Sequence, residues 1–262
     1  MTEHLGLHLL EHPLSPYVQK VKLALHFKGL PFTSAYPMTD AEIAEDFALS
    51  PRGEVPLLKH RDLALYDSRV ICTYIDETWP EPALMPKSPY ARAQIRWIED
   101  AMDTHFEANT WGLAEVTIFR RATGELADRL TRHAQQQILN WFQWLDQRLS
   151  DGGWFNGPSY GWGDMCVVPF VNGAARFDLH PKAGTPLAAW LRRVNEIDAV
   201  RLTQSAAAEA ELDPLTMQAA LTSGFKREYR DHRLEWMIRA GGIDVVAQGL
   251  SNNNIRFNGS FS

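Results

Sequence analysis

Cysteine is scarce in this sequence, and it contains neither a long apolar run nor an excess of basic residues. Only two cysteines, Cys72 and Cys166, occur among 262 residues, and both lie inside apolar helical patterns. We therefore predict two buried thiols in a reducing compartment, not a disulfide framework. No apolar run reaches the roughly 18–20 residues that a membrane span needs. The net charge of −6 argues against a nucleic-acid partner, because that binding depends on clustered cations.

The first residues, Met1–His4, lack the basic start and the apolar stretch of a signal peptide. The histidines and cysteines form no convincing metal-ligand pattern. We therefore expect a cytoplasmic protein that has no membrane, nucleic-acid or metal partner.

Strand and helix patterns alternate over residues 1–80. Apolar periodicity and turn residues predict, in chain order, strand Leu5–Leu10, helix Pro16–Lys28, strand Pro31–Tyr36, helix Asp40–Leu49, strands Val55–Lys59 and Leu63–Tyr66, and helix Ser68–Trp79. This order fits one small mixed sheet with helices packed against it.

A proline-rich linker and a long helical region follow. Prolines cluster within residues 79–89, and the later pattern predicts helices Ala91–Phe119, Gly124–Ser150, Trp162–Phe177, Pro186–Glu196 and Asp198–Glu209. The predicted fold class is therefore an α/β domain plus an all-α domain. We place the first at 1–80, the linker at 81–89, the helical domain at 90–210 and a C-terminal extension at 211–262. Within the extension, we expect helices at Pro214–Leu221 and Phe225–Ala240 and a loop at Ser251–Asn254.

Ser15 stands where the first predicted strand leads into the first predicted helix. Pro16 suits the first helical position, which makes Ser15 the expected N-cap. One interpretation is an ordinary cap. The other is an anion site, because free N–H groups and the helix dipole at this end stabilise negative charge, including that of a bound thiolate.

Two further motifs fit a peptide ligand. Proline cannot donate to a strand ladder, so Val55-Pro56 indicates either an edge strand or a backbone left open to an extended peptide. Asp67-Ser68 is either a simple cap of the next helix or a pair that binds a ligand's ammonium and carboxylate.

The order and spacing of three motifs resemble those of the cytosolic glutathione transferase superfamily. The motifs are Ser15-Pro16-Tyr17, Val55-Pro56 and Asp67-Ser68. The resemblance covers residues from about 5 to 209. It implies a thioredoxin-like domain followed by a helical bundle domain. It also implies that Ser15 hydrogen-bonds the glutathione thiolate, that the Val55 backbone meets the cysteinyl unit before a cis-proline at Pro56, and that Asp67 and Ser68 hold the γ-glutamyl end.

The implied activity is a glutathione transferase of the detoxification type, with glutathione as co-substrate, an apolar electrophile as second substrate, and a homodimer as the assembly. The aromatic side chains Phe106 and Trp111 are candidates for lining the acceptor site. Glutathione-dependent cleavage of β-aryl ethers is an alternative, since the Ser15 turn is also similar to that of bacterial β-aryl etherases. A non-catalytic binding protein on the same fold, like the stringent starvation proteins, is another.

Two features depart from the family's pattern. Gly161 occupies the position of the usual Ser or Thr cap before Asp164, and the chain continues beyond residue 210 for longer than most members. Glycine is still an acceptable N-cap, so the fold prediction stands. The extension folds over the active site as a lid, extends the acceptor pocket, or simply packs on the helical domain.

Overall fold

A computed structural model of the chain describes residues 5–36, 49–50, 52–149, 153–210 and 226–257. The helix predicted over Pro214–Leu221 and all but the last residue of the one predicted over Asp40–Leu49 lie outside these ranges, and Leu49 itself is in a turn. Among the helices within the described ranges, none is long and apolar enough to span a bilayer.

Among the described residues of the N-terminal part, four strands form a sheet and two helices accompany it. The elements are β1 (Leu7–Leu10), α1 (Pro16–Phe27), β2 (Phe32–Ala35), β3 (Leu57–His60), β4 (Leu63–Tyr66) and α2 (Ser68–Thr78). The strand order is β2-β1-β3-β4, with β1 and β2 parallel and the other two pairs antiparallel. Leu7 of β1 faces Phe32 of β2 and His60 of β3. This is the small mixed sheet that the sequence predicted.

Helices and the loops between them make up the described residues from 79 to 210. The helices are α3 (Pro89–Ala101), a π-helical turn (Met102–Phe106), α4 (Glu107–Thr117), α5 (Gly124–Asp146), α6 (Trp162–Ala175), α7 (Pro186–Val194) and α8 (Asp198–Glu209). The single helix predicted over Ala91–Phe119 is thus interrupted at the π turn. The interruption coincides with a tertiary contact, because the Tyr17 hydroxyl of α1 donates to the main-chain oxygen of Asp103 there.

The start of α6 explains why glycine occupies position 161. A Cβ atom on Gly161 would lie 2.8 Å from the main-chain oxygen of Leu84, so a serine or threonine cap has no room. Asp164 provides the capping contacts instead, since its carboxylate accepts from the main-chain N–H of Gly161 and from Nε1 of Trp190.

The extension contains α9 (Asp231–Arg239) and α10 (Ile243–Ser251), together with two short parallel strands, β5 (Arg227–Glu228) and β6 (Ile255–Arg256). The predicted helix over Phe225–Ala240 is therefore wrong at its N-terminal end, where β5 lies. Strand β5 pairs with β6 and makes side-chain contacts with α4. Local helical periodicity cannot predict such long-range contacts.

Candidate functional site

One large cavity lies between the N-terminal part of the chain and the extension. All five residues predicted to act at the site line it, namely Ser15, Val55, Pro56, Asp67 and Ser68. Its volume of about 1470 Å³ exceeds the roughly 300–1,000 Å³ of a typical small-molecule site, so two ligands can share it.

Ser15 is the N-cap of α1, as predicted. Its hydroxyl accepts a hydrogen bond from the main-chain N–H of Val18 at 3.4 Å, and Pro16 occupies the first helical position. That bond is at the long end of the hydrogen-bond range, so it is a weak cap. The hydroxyl therefore stands at a helix N-terminus and at the cavity wall at the same time.

A second hydroxyl close to this turn already has a partner. The Tyr17 side chain lines the cavity, but its hydroxyl donates to the main-chain oxygen of Asp103 at 2.6 Å. Burial raises the pKa of Tyr17 well above its usual value, so the phenol stays protonated at neutral pH. Of these two hydroxyls, the one on Ser15 is better placed to meet a thiol.

The Val55–Pro56 peptide is cis, as the resemblance implied, and it immediately precedes β3. The extension holds the segment before it. The Arg256 guanidinium on β6 donates to the main-chain oxygen of Gly53 at 3.0 Å and to that of Arg52 at 3.4 Å. Sequence analysis did not find this residue, because nothing local connects position 256 with position 53.

Asp67 and Ser68 form the start of α2. Asp67 has a φ of 71°, a conformation that costs a non-glycine residue of order 1–3 kcal/mol and often marks a functional site. Its carboxylate caps the helix by accepting from the main-chain N–H groups of Arg69 and Val70, and it pairs with Arg52 at 3.1 Å. Ser68 is buried. The Asp67 carboxylate and the positive end of the α2 dipole suit a ligand that carries both an ammonium and a carboxylate.

A buried ion network joins the two parts of the molecule beside the cavity. Lys20 of α1 is fully buried, and its Nζ lies 2.7 Å from the Asp103 carboxylate and 3.3 Å from Glu99. The indole N–H of Trp162 also donates to Glu99. These carboxylates raise the pKa of Lys20 against the effect of burial, so the ammonium stays charged. This network, too, was missed from the sequence.

His12 is a further cavity residue that the sequence did not reveal. Its Nδ1 accepts from the main-chain N–H of Leu14, and its ring packs edge-on against Tyr36. Burial lowers the pKa of His12 below its usual value, so the ring is neutral at pH 7.

The extension packs on the helical region and also contributes side chains to the cavity wall. Residues Lys226, Arg227, Glu228, Arg230, Asp231, His232, Arg233 and Arg256 face the cavity. Behind them, Glu107 and Glu115 of α4 anchor the extension, through Arg233 in the first case and through Arg227 and the Tyr229 hydroxyl in the second.

Close packing supports these polar anchors. The Trp236 indole N–H donates to Asn109, and its ring covers Gly112 so closely that an added Cβ would lie 2.3 Å from it. Phe106 and Trp111, the candidates for the acceptor site, do not line this cavity. Phe106 is fully buried beside Phe170, and the Trp111 ring packs against Tyr229.

Known proteins share both parts of this arrangement. Residues 9–83 match the family model of the glutathione S-transferase N-terminal domain, and residues 117–198 match that of the C-terminal domain. Glutathione S-transferase U2 of Arabidopsis thaliana is 27% identical over 198 residues, which are 72% of this chain and 83% of the relative. A stringent starvation protein A homolog of Histophilus somni is 42% identical over 82 residues, or 30% of this chain and 38% of the relative.

A solved rice transferase, OsGSTU1 in complex with glutathione, superposes with a TM-score of 0.61 at 24% identity. The match covers 84% of this chain and 98% of the rice chain. The sheet with α1 and α2 is accordingly a thioredoxin-like domain, and the helices that follow form the second domain of the same fold. On these matches, the chain belongs to the glutathione S-transferase superfamily.

Proposed function

We propose that this protein is a glutathione transferase that activates the glutathione thiol at Ser15 for attack on an electrophilic second substrate. One observation carries the proposal. Three motifs separated by up to 53 positions, from Ser15 to Ser68, line a single cavity, and each presents the polar group that the corresponding part of glutathione requires.

Two units of the tripeptide, the γ-glutamyl and the cysteinyl, have partners in this scheme. The Asp67 carboxylate takes the γ-glutamyl ammonium, and Ser68 with the start of α2 takes the γ-glutamyl carboxylate. The Val55 backbone pairs with the cysteinyl unit. The thiol then points to the N-terminus of α1, where the Ser15 hydroxyl donates a hydrogen bond to the sulfur.

The chemistry follows from the stabilised thiolate. A thiol with a pKa near 8.5 is only a few per cent ionised at pH 7, and lowering that pKa by about two units corresponds to about 2.7 kcal/mol. The thiol proton leaves to water, the sulfur forms a bond to the electrophilic carbon, and the leaving group departs with its electron pair. The protein contributes activation and proximity, with no protein nucleophile.

The test uses a control that the chain itself provides. Ser88 begins α3 in the same tripeptide, Ser88-Pro89-Tyr90, and its hydroxyl caps Ala91 at the same 3.4 Å, outside the cavity. We expect Ser15→Ala to lower turnover by up to about 50-fold near pH 6.5 and by less as pH rises toward 8.5, because the thiol then ionises unaided. Ser88→Ala removes an equal cap and leaves turnover unchanged.

Steady-state kinetics with an aryl halide across this pH range, and calorimetric titration with glutathione, measure both effects. Equal activity of the two variants at all pH values contradicts the role of Ser15. We expect glutathione affinity of Ser15→Ala to stay within a few-fold of wild type, since the other contacts remain.

The competing candidate is a non-catalytic binding protein, which the match to the stringent starvation protein A homolog favours. A binding protein of that kind has no need for a glutathione site. Three measurements separate the two candidates. They are glutathione binding by calorimetry, retention on immobilised glutathione, and turnover with a panel of aryl halides, epoxides, peroxides, disulfides and aryl ethers. The ether arm of the panel also tests β-aryl ether cleavage. We expect a homodimer, which light scattering checks.

A further inference from the structure

The extension forms part of the cavity wall, and every described residue that it contributes is polar or charged. Five of the eight are cations, namely Lys226, Arg227, Arg230, Arg233 and Arg256. An acceptor site for a purely apolar molecule is instead lined mainly by apolar and aromatic side chains. This wall therefore suits an acceptor that carries charge.

Two of the five cations are neutralised by carboxylates of α4. Arg233 forms a forked pair with Glu107, and the Arg233 charge lowers the pKa of Glu107 to about 2. Arg227 is bonded to Glu115, whose other carboxylate oxygen accepts from Tyr229. These two arginines serve as anchors of the extension.

Two others have partners on the wall itself. Arg256 lies 2.9 Å from the Glu228 carboxylate and also donates to main-chain oxygens of the 52–53 segment. Lys226 donates to the side-chain oxygen of Asn253. The remaining acid of the wall, Asp231, has a side chain that is 94% exposed and that contacts His232.

Arg230 is the cation with the least satisfied guanidinium. Its Nε is buried and has no hydrogen-bond partner among the described residues, and its nearest acid is Glu54, at 3.7 Å. Charge-assisted hydrogen bonds are shorter, at about 2.7–2.9 Å. A buried donor without a partner is unfavourable, so the Arg230 guanidinium has unused capacity for an anion that enters the cavity.

Arg230 is also close to the reacting end of the cavity. Its guanidinium lies 5.9 Å from the centre of the Tyr17 ring, and Tyr17 belongs to the same first turn of α1 as Ser15. A group bound by Arg230 is therefore held beside the turn to which the thiol points. The planar fork of donors matches a carboxylate in two parallel hydrogen bonds.

We propose that the second substrate is an electrophile that bears a carboxylate or a similar planar anion, and that Arg230 binds this anion and holds the electrophilic carbon over the thiol. This inference rests on the proposed transferase function. In the step itself, the glutathione sulfur forms the new bond to carbon, the leaving group departs with its electron pair, and the thiol proton goes to water. Arg230 keeps its charge throughout.

A matched pair of acceptors tests the proposal. A chloronitrobenzoate and the corresponding chloronitrobenzamide have a similar ring and the same leaving group but differ in charge. We expect kcat/KM, divided by the uncatalysed rate constant of each compound, to favour the benzoate by about tenfold or more, the preference that about 1.4 kcal/mol of extra binding gives.

Arg230→Met should remove that preference, so that kcat/KM falls at least about tenfold more for the benzoate than for the benzamide. Arg230→Lys should keep part of it, because the charge remains but the fork is lost. Arg239→Met is the control, since Arg239 ends the helix that Arg230 precedes, is exposed and pairs with Glu235. No preference in the wild type, or a preference that survives Arg230→Met, overturns the proposal.

A binding measurement separates this inference from the transferase function. Nitrobenzoate and nitrobenzamide lack the chloride leaving group, so calorimetry can record their affinities without turnover. Tighter binding of nitrobenzoate that depends on Arg230 supports the anion site even if no transfer is observed. Equal affinities refute it even if glutathione binds and transferase activity is found.

Discussion

The same tripeptide begins two helices of this protein, and the two starts have different surroundings. Ser15-Pro16-Tyr17 opens α1 and Ser88-Pro89-Tyr90 opens α3, with the same cap and the same 3.4 Å hydrogen bond. Tyr17 is bonded to the main chain of Asp103, whereas Tyr90 is 76% exposed. The cap is therefore a local property of the tripeptide, and the site is a property of what surrounds it.

The largest effect is expected where α1 is tied to the helical domain. Lys20→Met leaves the Glu99 and Asp103 carboxylates buried without their ammonium partner, which costs about 3–5 kcal/mol of unfolding free energy. Urea denaturation measures the loss. Arg92→Met, on the exposed side of α3, is the control and should stay within about 0.5 kcal/mol of wild type. A loss below about 1 kcal/mol for Lys20→Met would mean that the network adds little to stability.

A smaller difference is expected between the two tyrosines. Tyr17→Phe removes the hydrogen bond to Asp103 and should cost about 1 kcal/mol, whereas Tyr90→Phe should cost nothing measurable. Turnover of Tyr17→Phe should stay within a few-fold of wild type, because Ser15 remains in place. A fall in its turnover as large as that of Ser15→Ala would assign the thiol contact to the tyrosine instead.

The last effect appears only as pH changes and concerns Glu228 of the extension, which lines the cavity. Burial, together with a hydrogen bond to Glu54, raises the pKa of Glu228 from 4.5 to about 8. The folded protein therefore binds this proton more tightly than the unfolded chain. The stabilisation is complete below pH 4.5 and is lost as pH rises through about 8.

We expect the melting temperature of the wild type to fall over this pH range more than that of Glu228→Gln, which stays uncharged. Glu125→Gln, at an exposed position of α5, is the control and should follow the wild type. Parallel pH curves for Glu228→Gln and wild type would show that the carboxyl does not titrate in this window. Calorimetric scans at several pH values decide between these outcomes.

Local chemistry made several parts of the molecule predictable. Features that depend on neighbouring residues are revealed by short sequence patterns. They include the Ser15 cap, the turn at Val55-Pro56, the Asp67 cap and the boundaries of most helices up to residue 210. Elements that depend on distant partners were not predictable in this way. The π turn contains Asp103, whose main-chain oxygen accepts a hydrogen bond from Tyr17. Strand β5 is held by the contact of Arg227 with Glu115 of α4, 112 positions earlier in the chain.

Apolar residues show the same limit. Phe106 and Trp111 carry the aromatic character of an acceptor site, yet they lie in packed regions beside Phe170 and Tyr229. The sequence shows that a side chain is apolar, but it does not show whether that side chain packs in the core or lines a binding site. The described cations of the extension wall, in turn, come from a segment whose strand pairing only the folded chain reveals.

By itself, the sequence determined the two-part architecture, the helix caps at Ser15 and Asp67 and the turn at Val55-Pro56, because helix caps, turns and apolar periodicity act over a few positions. The tertiary structure alone decided that Lys20 is buried among carboxylates, that Arg256 holds the 52–53 segment, and that Arg230 faces the cavity beside Tyr17. These features depend on charged groups that become neighbours only after folding, when burial makes each unpaired charge costly and so selects its partner.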